Sequence, residues 1–312
     1  MLPVRVAAID IGTNTVLLLV ADLTDGGPLA AVAERAMVTR LGENVDKTRR
    51  LAPEAIARTT ACLEGYAQTV RALRVSRVGV VATSAMRDAS GGDGLRHRIA
   101  ELFGVEARIL SGSEEALLAF RGAIGGLEPF DEPHRAVFDI GGGSTEVVLG
   151  RATLEGTEIA FASSFDLGSV RLTERLVAHD PVAPHEVEAV LQAARSGFAD
   201  VPALGLATMP IGTAGTMTTL AAVSLRMDPY DGARVHGHVL DVEELRATVA
   251  RLAAMTAEAR RALPGMEPKR ADVIVAGGCI ALALLDHWGA ARVRVSDRGV
   301  RWGLAEQLAQ GG

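Results

Sequence analysis

The sequence of 312 residues predicts an α/β fold built from two similar halves. β-Branched runs alternate with stretches of helical period along the chain, which is the pattern of sheets covered by helices. The motif Ile9–Gly12 (IDIG) nearly recurs as Phe138–Gly141 (FDIG), at an offset of 129 residues. Each copy ends one predicted strand, enters a turn of small residues and precedes a second strand. The repeat therefore predicts two lobes of similar topology.

The first predicted lobe begins with a hairpin. Val4–Asp10 and Thr15–Asp22 are rich in β-branched and aliphatic residues and flank a tight turn at residues 11–14. The elements that follow are a helix from Pro53 to about Leu73, a strand at Arg77–Thr83, a helix near Gly94–Phe103, a strand near Ala107–Leu110, and a helix from Glu114 to about Ile124 capped by Ser111 or Ser113.

The segment Gly125–Pro133 is rich in Gly, Pro and acidic residues, and it predicts the boundary between the lobes. The second lobe then repeats the strand–turn–strand unit, with strands at Ala136–Ile140 and Thr145–Leu149. The later elements are a strand near Glu158–Ser163, helices at Val170–Ala178 and His185–Phe198, a strand at Gly205–Ile211, a helix opened by the loop 212–216, helices at Val242–Ala254, Arg270–Ala276 and Ile280–Trp288, a strand at Ala291–Ser296 and a helix at Gly299–Leu308.

Composition excludes several classes of protein. The chain has 32 basic and 38 acidic residues, a net charge of −6, and only 4% aromatic residues. It therefore lacks the basic footprint and stacking platforms of a general nucleic-acid binder. No apolar run approaches the roughly 20 residues that a membrane span needs, and no signal peptide is visible. Cys62 and Cys279 form neither a disulfide framework nor a metal site, so we expect a cytoplasmic protein.

Glycine-rich loops at strand ends are the candidate binding sites. Their backbone N–H groups form small concavities that bind anions, above all phosphate, and a helix N-terminus reinforces the third loop. A hairpin that needs positive φ also explains glycine, but three glycines between an aspartate and Ser-Thr-Glu favour phosphate. None of the loops has the Walker or GxGxxG spacing. The residues are Gly12, Thr13, Asn14 and Thr15; Gly141, Gly142, Gly143, Ser144 and Thr145; and Gly212, Thr213, Ala214, Gly215 and Thr216.

A fourth small-residue pair, Gly277-Gly278, is predicted to separate two helices. It is interpreted either as another anion loop or as a packing corner.

Carboxylates next to these loops are the candidate metal ligands. Asp10, Asp139 and Glu146 would converge if the two lobes face each other. Clustered carboxylate oxygens suit Mg²⁺ held partly through water and partly through substrate phosphates. Glu114, in contrast, stands at the predicted start of a helix, where a negative charge complements the helix dipole.

Seven motifs stand in order along the chain: Ile9–Thr15 (IDIGTNT), Ala82–Ala89 (ATSAMRDA), Leu110–Ala116 (LSGSEEA), Asp139–Glu146 (DIGGGSTE), Gly212–Thr216 (GTAGT), Arg270–Gly278 (RADVIVAGG) and Val295–Gly303 (VSDRGVRWG). Together they resemble the motifs of the exopolyphosphatase and guanosine pentaphosphate phosphohydrolase (Ppx/GppA) family in its short, two-domain form. The pair His236-Gly237 is also similar to a family feature, to which we assign no role. The DIG turns alone would indicate only the wider superfamily of actin, heat-shock chaperones and sugar kinases.

The resemblance implies an actin-like ATPase (ribonuclease H-like) fold with a cleft between two lobes, residues 1–124 with 299–312 and residues 125–298. By motif position, it implies a catalytic glutamate at Glu115, a phosphate-binding arginine at Arg87, and an essential acidic pair near the metal at Asp139 and Glu146. It further implies Mg²⁺ or another divalent cation as cofactor, and a homodimer.

These features predict the hydrolysis of a terminal phosphoanhydride bond. The three loops and Arg87 hold phosphoryl oxygens, the metal neutralises charge, and Glu115 acts on the attacking water. The leading hypothesis is an exopolyphosphatase that releases orthophosphate from polyphosphate ends. A guanosine pentaphosphate 5′-phosphohydrolase of the stringent response needs the same chemistry and stays open. More distant alternatives are a kinase of the same superfamily and a non-catalytic polyphosphate binder or scaffold.

Overall fold

The computed structural model describes residues 4–23, 28–127, 133–153, 156–205 and 208–311. The chain divides into two compact units, the first formed by residues 1–126 with 300–312 and the second by residues 127–299. Within the predicted boundary segment 125–133, residues 128–132 lie outside the described residues. Every helix in the described part of the chain is too short or too polar to cross a bilayer.

The first unit contains a mixed sheet of five strands. Its elements up to the second unit are β1 (Val4–Ile11), β2 (Thr15–Leu23), β3 (Leu29–Val38), α1 (Val45–Thr48), α2 (Pro53–Ala72), β4 (Arg77–Ala82), α3 (Ser84–Asp88), α4 (Asp93–Phe103), β5 (Ala107–Ile109) and α5 (Gly112–Ile124). The strand order is β3-β2-β1-β4-β5. The hairpin β1–β2 is antiparallel, whereas β4 and β5 add in parallel. The edge strand β3 was not predicted, because its residues are mostly exposed and lack a clear alternation.

The second unit contains a mixed sheet of six strands. Its elements are β6 (His134–Ile140), β7 (Thr145–Thr153), β8 (Gly156–Phe165), α6 (Ser169–Leu176), α7 (Pro184–Gly197), β9 (Ile211–Thr213), α8 (Ala214–Ser224), α9 (Gly232–Val235), β10 (Val239–Asp241), α10 (Val242–Ala253), α11 (Ala257–Arg261), α12 (Ile274–His287) and β11 (Arg292–Val295), after which α13 (Val300–Ala309) returns to the first unit. The strand order is β10-β11-β9-β6-β7-β8. Without β10, this order matches the first sheet strand for strand, so the prediction of two lobes of similar topology is confirmed.

Each unit has its own hydrophobic core. In the first unit, the alternation of β1 sends Ala7, Ile9 and Ile11 toward the core shared with α2 and α4. It sends Val6 and Ala8 toward a second cluster, which α5 and α13 complete. The core of the second unit lies among its sheet and the helices α6, α7, α8, α10 and α12.

The predicted helix break at Gly277-Gly278 is wrong, since the single helix α12 runs through both glycines. A Cβ atom at Gly277 would lie 2.7 Å from Thr216 Cγ2, and one at Gly278 would lie 2.5 Å from Val249 Cγ2. The glycines therefore let α12 pack closely against α8 and α10, and they form neither an anion loop nor a corner.

Two other predicted elements differ from the structure. The helix predicted from Arg270 to Ala276 is a short 3-10 turn at Pro268–Arg270, and α12 starts only at Ile274. The strand predicted at Gly205–Ile211 is confined to Ile211–Thr213 among the described residues, and residues 206–207 lie outside them.

The packing of α13 on α5 predicts the effect of one substitution. A Cβ atom at Gly303 would lie 2.2 Å from the Leu118 carbonyl oxygen, which is backbone and cannot rotate away. We expect Gly303→Ala to lower the free energy of unfolding in urea by about 1–3 kcal/mol, as overpacking does. The matched control is Gly65→Ala in α2, where a Cβ meets nothing within 4 Å, and where we expect a gain of up to ~1 kcal/mol. Equal stability of the two variants would contradict the close approach.

Candidate active site

The first glycine loop joins β1 to β2. The Gly12 N–H donates to the Thr15 carbonyl at 3.0 Å, and the carbonyl oxygens of Thr13 and Asn14 accept N–H groups of residues 39–42 at 2.8–3.1 Å. The Thr13 hydroxyl and both polar atoms of the Asn14 amide are buried and have no hydrogen-bond partner among the described residues. Because an unsatisfied buried polar atom costs about 1–3 kcal/mol, these atoms suit a ligand from outside the chain.

The second loop, between β6 and β7, repeats the first. The Gly141 N–H donates to the Ser144 carbonyl at 3.0 Å. The Thr145 hydroxyl donates to the Leu167 carbonyl, so its proton is directed into the protein. The backbone N–H groups of residues 142–144 donate to no acceptor in the described part of the chain. This loop therefore offers backbone N–H groups to a ligand, together with the Ser144 side chain.

The third loop leads from β9 into α8. The Thr213 hydroxyl contacts carbonyl oxygens of the segment 296–298 at 2.6 and 3.1 Å, and the Thr216 hydroxyl donates to the Ile140 carbonyl at 3.2 Å. Ala214 has a φ of 64°, a conformation that residues with a Cβ atom seldom adopt. Since the two threonine hydroxyls donate to carbonyl oxygens inside the protein, the groups of this loop that could contact an anion are the backbone N–H groups at the start of α8.

Arg270 lies directly over this third loop. A Cβ atom at Gly215 would come within 1.9 Å of the guanidinium carbon of Arg270, so only glycine leaves room for the arginine. Burial lowers the pKa of Arg270, but an arginine keeps its charge at neutral pH. No role was predicted for Arg270, because its contact with a loop 55 residues earlier follows only from the fold. Arg270 is therefore a candidate phosphate contact. It belongs to the motif Arg270–Gly278, but the motif alone did not indicate this role.

His236, directly after α9, contacts the segment that leads into α13 and that packs on the same loop. Its Nδ1 atom lies 3.2 Å from the Ser296 hydroxyl. The Ser296 N–H in turn donates to the Gly212 carbonyl at 2.9 Å. His236 is therefore linked to the loop 212–216 through Ser296.

A pair of carboxylates lies beside the second loop. Asp139 on β6 and Glu146 on β7 are directly opposite each other, and the Ser164 hydroxyl on β8 donates to Glu146 Oε1 at 2.6 Å. Asp139 is 8% exposed and Glu146 is 2% exposed. The pair therefore fits a hard divalent cation, whose preferred ligands are carboxylate oxygens.

Gly299 lies next to the Asp139 carboxylate. A Cβ atom at Gly299 would lie 3.4 Å from Asp139 Oδ2 and 3.3 Å from Thr213 Oγ1. In the first unit, Asp10 is also buried, but Leu17 stands opposite it on β2. The second unit thus has an acidic pair where the first unit has a single aspartate.

In the first unit, the structure brings Arg87 and Glu115 together. Arg87 in α3 donates from one guanidinium nitrogen to Glu115 Oε2 at 3.0 Å and to the Leu110 carbonyl at 2.8 Å. Glu115 is 7% exposed, and this burial raises the pKa of its carboxyl group, while the hydrogen bond from Arg87 opposes the shift. The result is a buried carboxyl group, held in place by an arginine, in the first turn of α5.

The neighbouring Glu114 has a different role. Its carboxylate accepts hydrogen bonds from the N–H and the hydroxyl of Ser111, both at 2.8 Å, and the Ser111 hydroxyl accepts the Glu114 N–H. This is a capping box, and its hydrogen bonds lower the pKa of Glu114. The structure thus confirms the helix-start interpretation of Glu114 and leaves Glu115 directed into the protein.

Comparisons with known proteins agree over both units. The Ppx/GppA phosphatase family matches residues 19–310. The chain is 40% identical to exopolyphosphatase 2 of Mycobacterium tuberculosis, covering 98% of each chain. A solved exopolyphosphatase-like protein superposes with a TM-score of 0.91 at 31% identity over 99% of both chains. An Aquifex aeolicus Ppx/GppA protein gives a TM-score of 0.81 at 32% identity, covering 99% of this chain and 98% of that one. The predicted actin-like α/β fold is confirmed.

The opposite pKa shifts of Glu114 and Glu115 predict opposite effects of pH on stability. Because the folded state raises the pKa of Glu115, the stability linked to this group is lost as pH rises above its ordinary value of 4.5. We therefore expect the unfolding free energy of Glu115→Gln in urea, relative to that of the unsubstituted protein, to increase as pH rises above 4.5. For Glu114→Gln, the difference from the unsubstituted protein should change below pH 4.5 instead, because a lowered pKa makes the stability linked to Glu114 fall as pH drops below this ordinary value. The same sign in both variants would contradict these environments.

Proposed function

The chain belongs to the Ppx/GppA phosphatase family, and we propose that it is an exopolyphosphatase that releases orthophosphate from the ends of inorganic polyphosphate. The observation that carries this proposal is the 40% identity to an exopolyphosphatase across 98% of both chains. The arrangement of phosphate loops, buried carboxylates and an arginine supports the same reaction class, hydrolysis of a phosphoanhydride.

Substrate binding falls to the three loops in this proposal. In the first unit, the unpartnered side chains of Thr13 and Asn14 and the guanidinium of Arg87 would contact phosphoryl oxygens. In the second unit, the backbone N–H groups of residues 142–144 and the start of α8 would do the same. Local N–H groups and arginines can hold a polyanion on a protein whose net charge is −6, because the contacts do not depend on the overall field.

The cation of the proposal is Mg²⁺. Asp139 and Glu146 would hold it, with Ser164 fixing the orientation of Glu146, and Asp10 is a further candidate ligand. When bound, Mg²⁺ neutralises charge on the phosphoryl oxygens.

Glu115 is the proposed general base. Its burial raises the pKa and makes the carboxylate a better proton acceptor, and the hydrogen bond from Arg87 fixes its orientation. In its ionised form, Glu115 would accept a proton from the water that attacks the terminal phosphorus. As the water oxygen bonds to the terminal phosphorus, the bridging P–O bond breaks and its electron pair stays on the shortened polyphosphate chain, which is the leaving group. The terminal phosphoryl group, with the oxygen of the water, becomes orthophosphate.

Guanosine pentaphosphate is the second candidate substrate, since its 5′ end carries the same anhydride. The domain division predicted above, a homodimer and a cytoplasmic location are further parts of the proposal. A panel of substrates is the experiment that distinguishes the candidates.

We expect phosphate release from short and long polyphosphate in the presence of Mg²⁺, and loss of that release when EDTA removes the cation. The panel would include guanosine pentaphosphate and ATP at equal anhydride concentration, with released orthophosphate measured over time. A higher kcat/KM for guanosine pentaphosphate than for polyphosphate would favour the second candidate. No release from any phosphoanhydride would refute the proposed function.

Removal of the proposed base should affect turnover rather than folding. We expect Glu115→Gln to lower kcat by about 10²–10⁴-fold, the usual contribution of a general base, with the unfolding transition retained. Glu114→Gln is the matched control, because it changes the adjacent carboxylate, which forms the capping box of α5, and it should keep kcat near that of the unsubstituted protein. Near-normal turnover in Glu115→Gln would remove Glu115 from the mechanism.

A further inference from the structure

The segment Gly168–Arg171 packs directly on the second glycine loop. A Cβ atom at Gly168 would lie 2.2 Å from the Gly142 carbonyl oxygen and 2.4 Å from the Gly143 carbonyl carbon. The two backbones are therefore in contact, which only glycine permits at this position. None of the residues 168–171 was predicted to serve the site, because no phosphate-binding pattern includes them.

This segment binds three successive carbonyl oxygens of the loop. The Gly141 carbonyl accepts the N–H of Ser169 at 3.0 Å and its hydroxyl at 3.2 Å. The Gly142 carbonyl accepts the N–H groups of residues 170 and 171 at 2.9 and 3.1 Å. The Gly143 carbonyl accepts the Nε–H of Arg171 at 2.6 Å. The first turn of α6 thus donates hydrogen bonds to each of the three successive carbonyl oxygens of the loop.

Because the peptide bond is planar, the hydrogen bonds to these carbonyl oxygens also fix the direction of the N–H groups in the same peptide units. In a trans peptide the C=O and the following N–H point in opposite directions, and the cis peptides of the described residues lie elsewhere, at Asp180-Pro181 and Asp228-Pro229. The N–H groups of Gly142, Gly143 and Ser144 therefore point away from the segment. Three adjacent N–H groups on one side of the chain form an anion nest.

Arg171 differs from the other contacts of the segment. The carbonyls of Gly141 and Gly142 are held by backbone N–H groups, which almost any residue supplies. In the described structure, the Gly143 carbonyl is held by a side chain alone. That side chain is 5% exposed, and its guanidinium is also 3.5 Å from Asp166 Oδ1. The direction of the Ser144 N–H thus depends on the identity of residue 171.

We propose that Arg171 is a positioning residue, which holds the Gly143 carbonyl so that the Ser144 N–H completes an anion nest for a phosphoryl oxygen. The proposal rests on the proposed function for its substrate, a phosphate chain. Arg171 itself touches no substrate, and its charge is directed toward the protein. Orthophosphate, the product of the proposed reaction, is the simplest ligand for the nest.

The test compares Arg171→Met and Arg171→Lys with the control Arg195→Met, which removes an exposed arginine of α7 that pairs with Glu188. Two readouts are used: the inhibition constant of orthophosphate against polyphosphate hydrolysis, and the amide shifts of Gly142, Gly143 and Ser144 on titration with orthophosphate after selective ¹⁵N-glycine and ¹⁵N-serine labelling. We expect Arg171→Met to raise the inhibition constant about tenfold and to reduce the phosphate-induced shift of Ser144.

The lysine variant retains a donor without the planar geometry of arginine, so we expect a rise of only about threefold. If Arg171→Met does not fold, Arg171→Lys decides the question by the same readouts. An unchanged inhibition constant and an unchanged Ser144 shift in a folded Arg171 variant would overturn the proposal. If the unsubstituted protein hydrolyses no polyphosphate, the proposed function fails, and the amide titration with orthophosphate still tests Arg171.

Discussion

The planar, trans peptide bond is the constraint on which the chemistry of both units depends. In each strand–turn–strand loop, carbonyl oxygens are hydrogen-bonded to a later segment of the same unit, residues 39–42 in the first and residues 169–171 in the second. The N–H groups of those peptide units therefore point away from the segment that binds the carbonyl oxygens. This close packing requires glycine: a Cβ atom at Gly168 would meet the backbone of the second loop, and a Cβ atom at Gly42 would meet the Thr13 side chain of the first. Part of the high glycine content, 34 residues, therefore serves the contacts behind the loops as well as the loops themselves.

The two units share one topology but differ in the chemistry placed on it. Five strands of each sheet have the same order, and Asp10 and Asp139 occupy the same position before the turn. Across the hairpin, however, Asp10 faces Leu17, whereas Asp139 faces Glu146. The acidic pair that suits a cation is thus confined to the second unit, while the buried carboxyl group of Glu115 belongs to the first. The two halves thus share a scaffold and differ in chemistry at single positions.

Local patterns predicted most of the fold, because the strand–turn–strand units and most helices carry clear periodicity and caps. They failed where packing partners decide the outcome. Gly277-Gly278 was interpreted as a break, since a glycine that permits a close helix contact looks the same in sequence as one that ends a helix. Glu115 was identified only through the family resemblance. Arg171 and Arg270 were missed, because their contacts join residues far apart in sequence that only the folded chain brings together.

The return of the chain to the first unit has a consequence for its synthesis. Helix α13 covers one face of the first sheet, where Trp302, Leu304 and Ala305 bury Val6 and Leu19. Residues 127–299 must be translated before this helix leaves the ribosome. At about 5–20 residues per second this takes roughly 9–35 s, far longer than a domain of this size needs to collapse. The second unit can therefore complete its core first. During that time the face of the first sheet that α13 covers is still exposed.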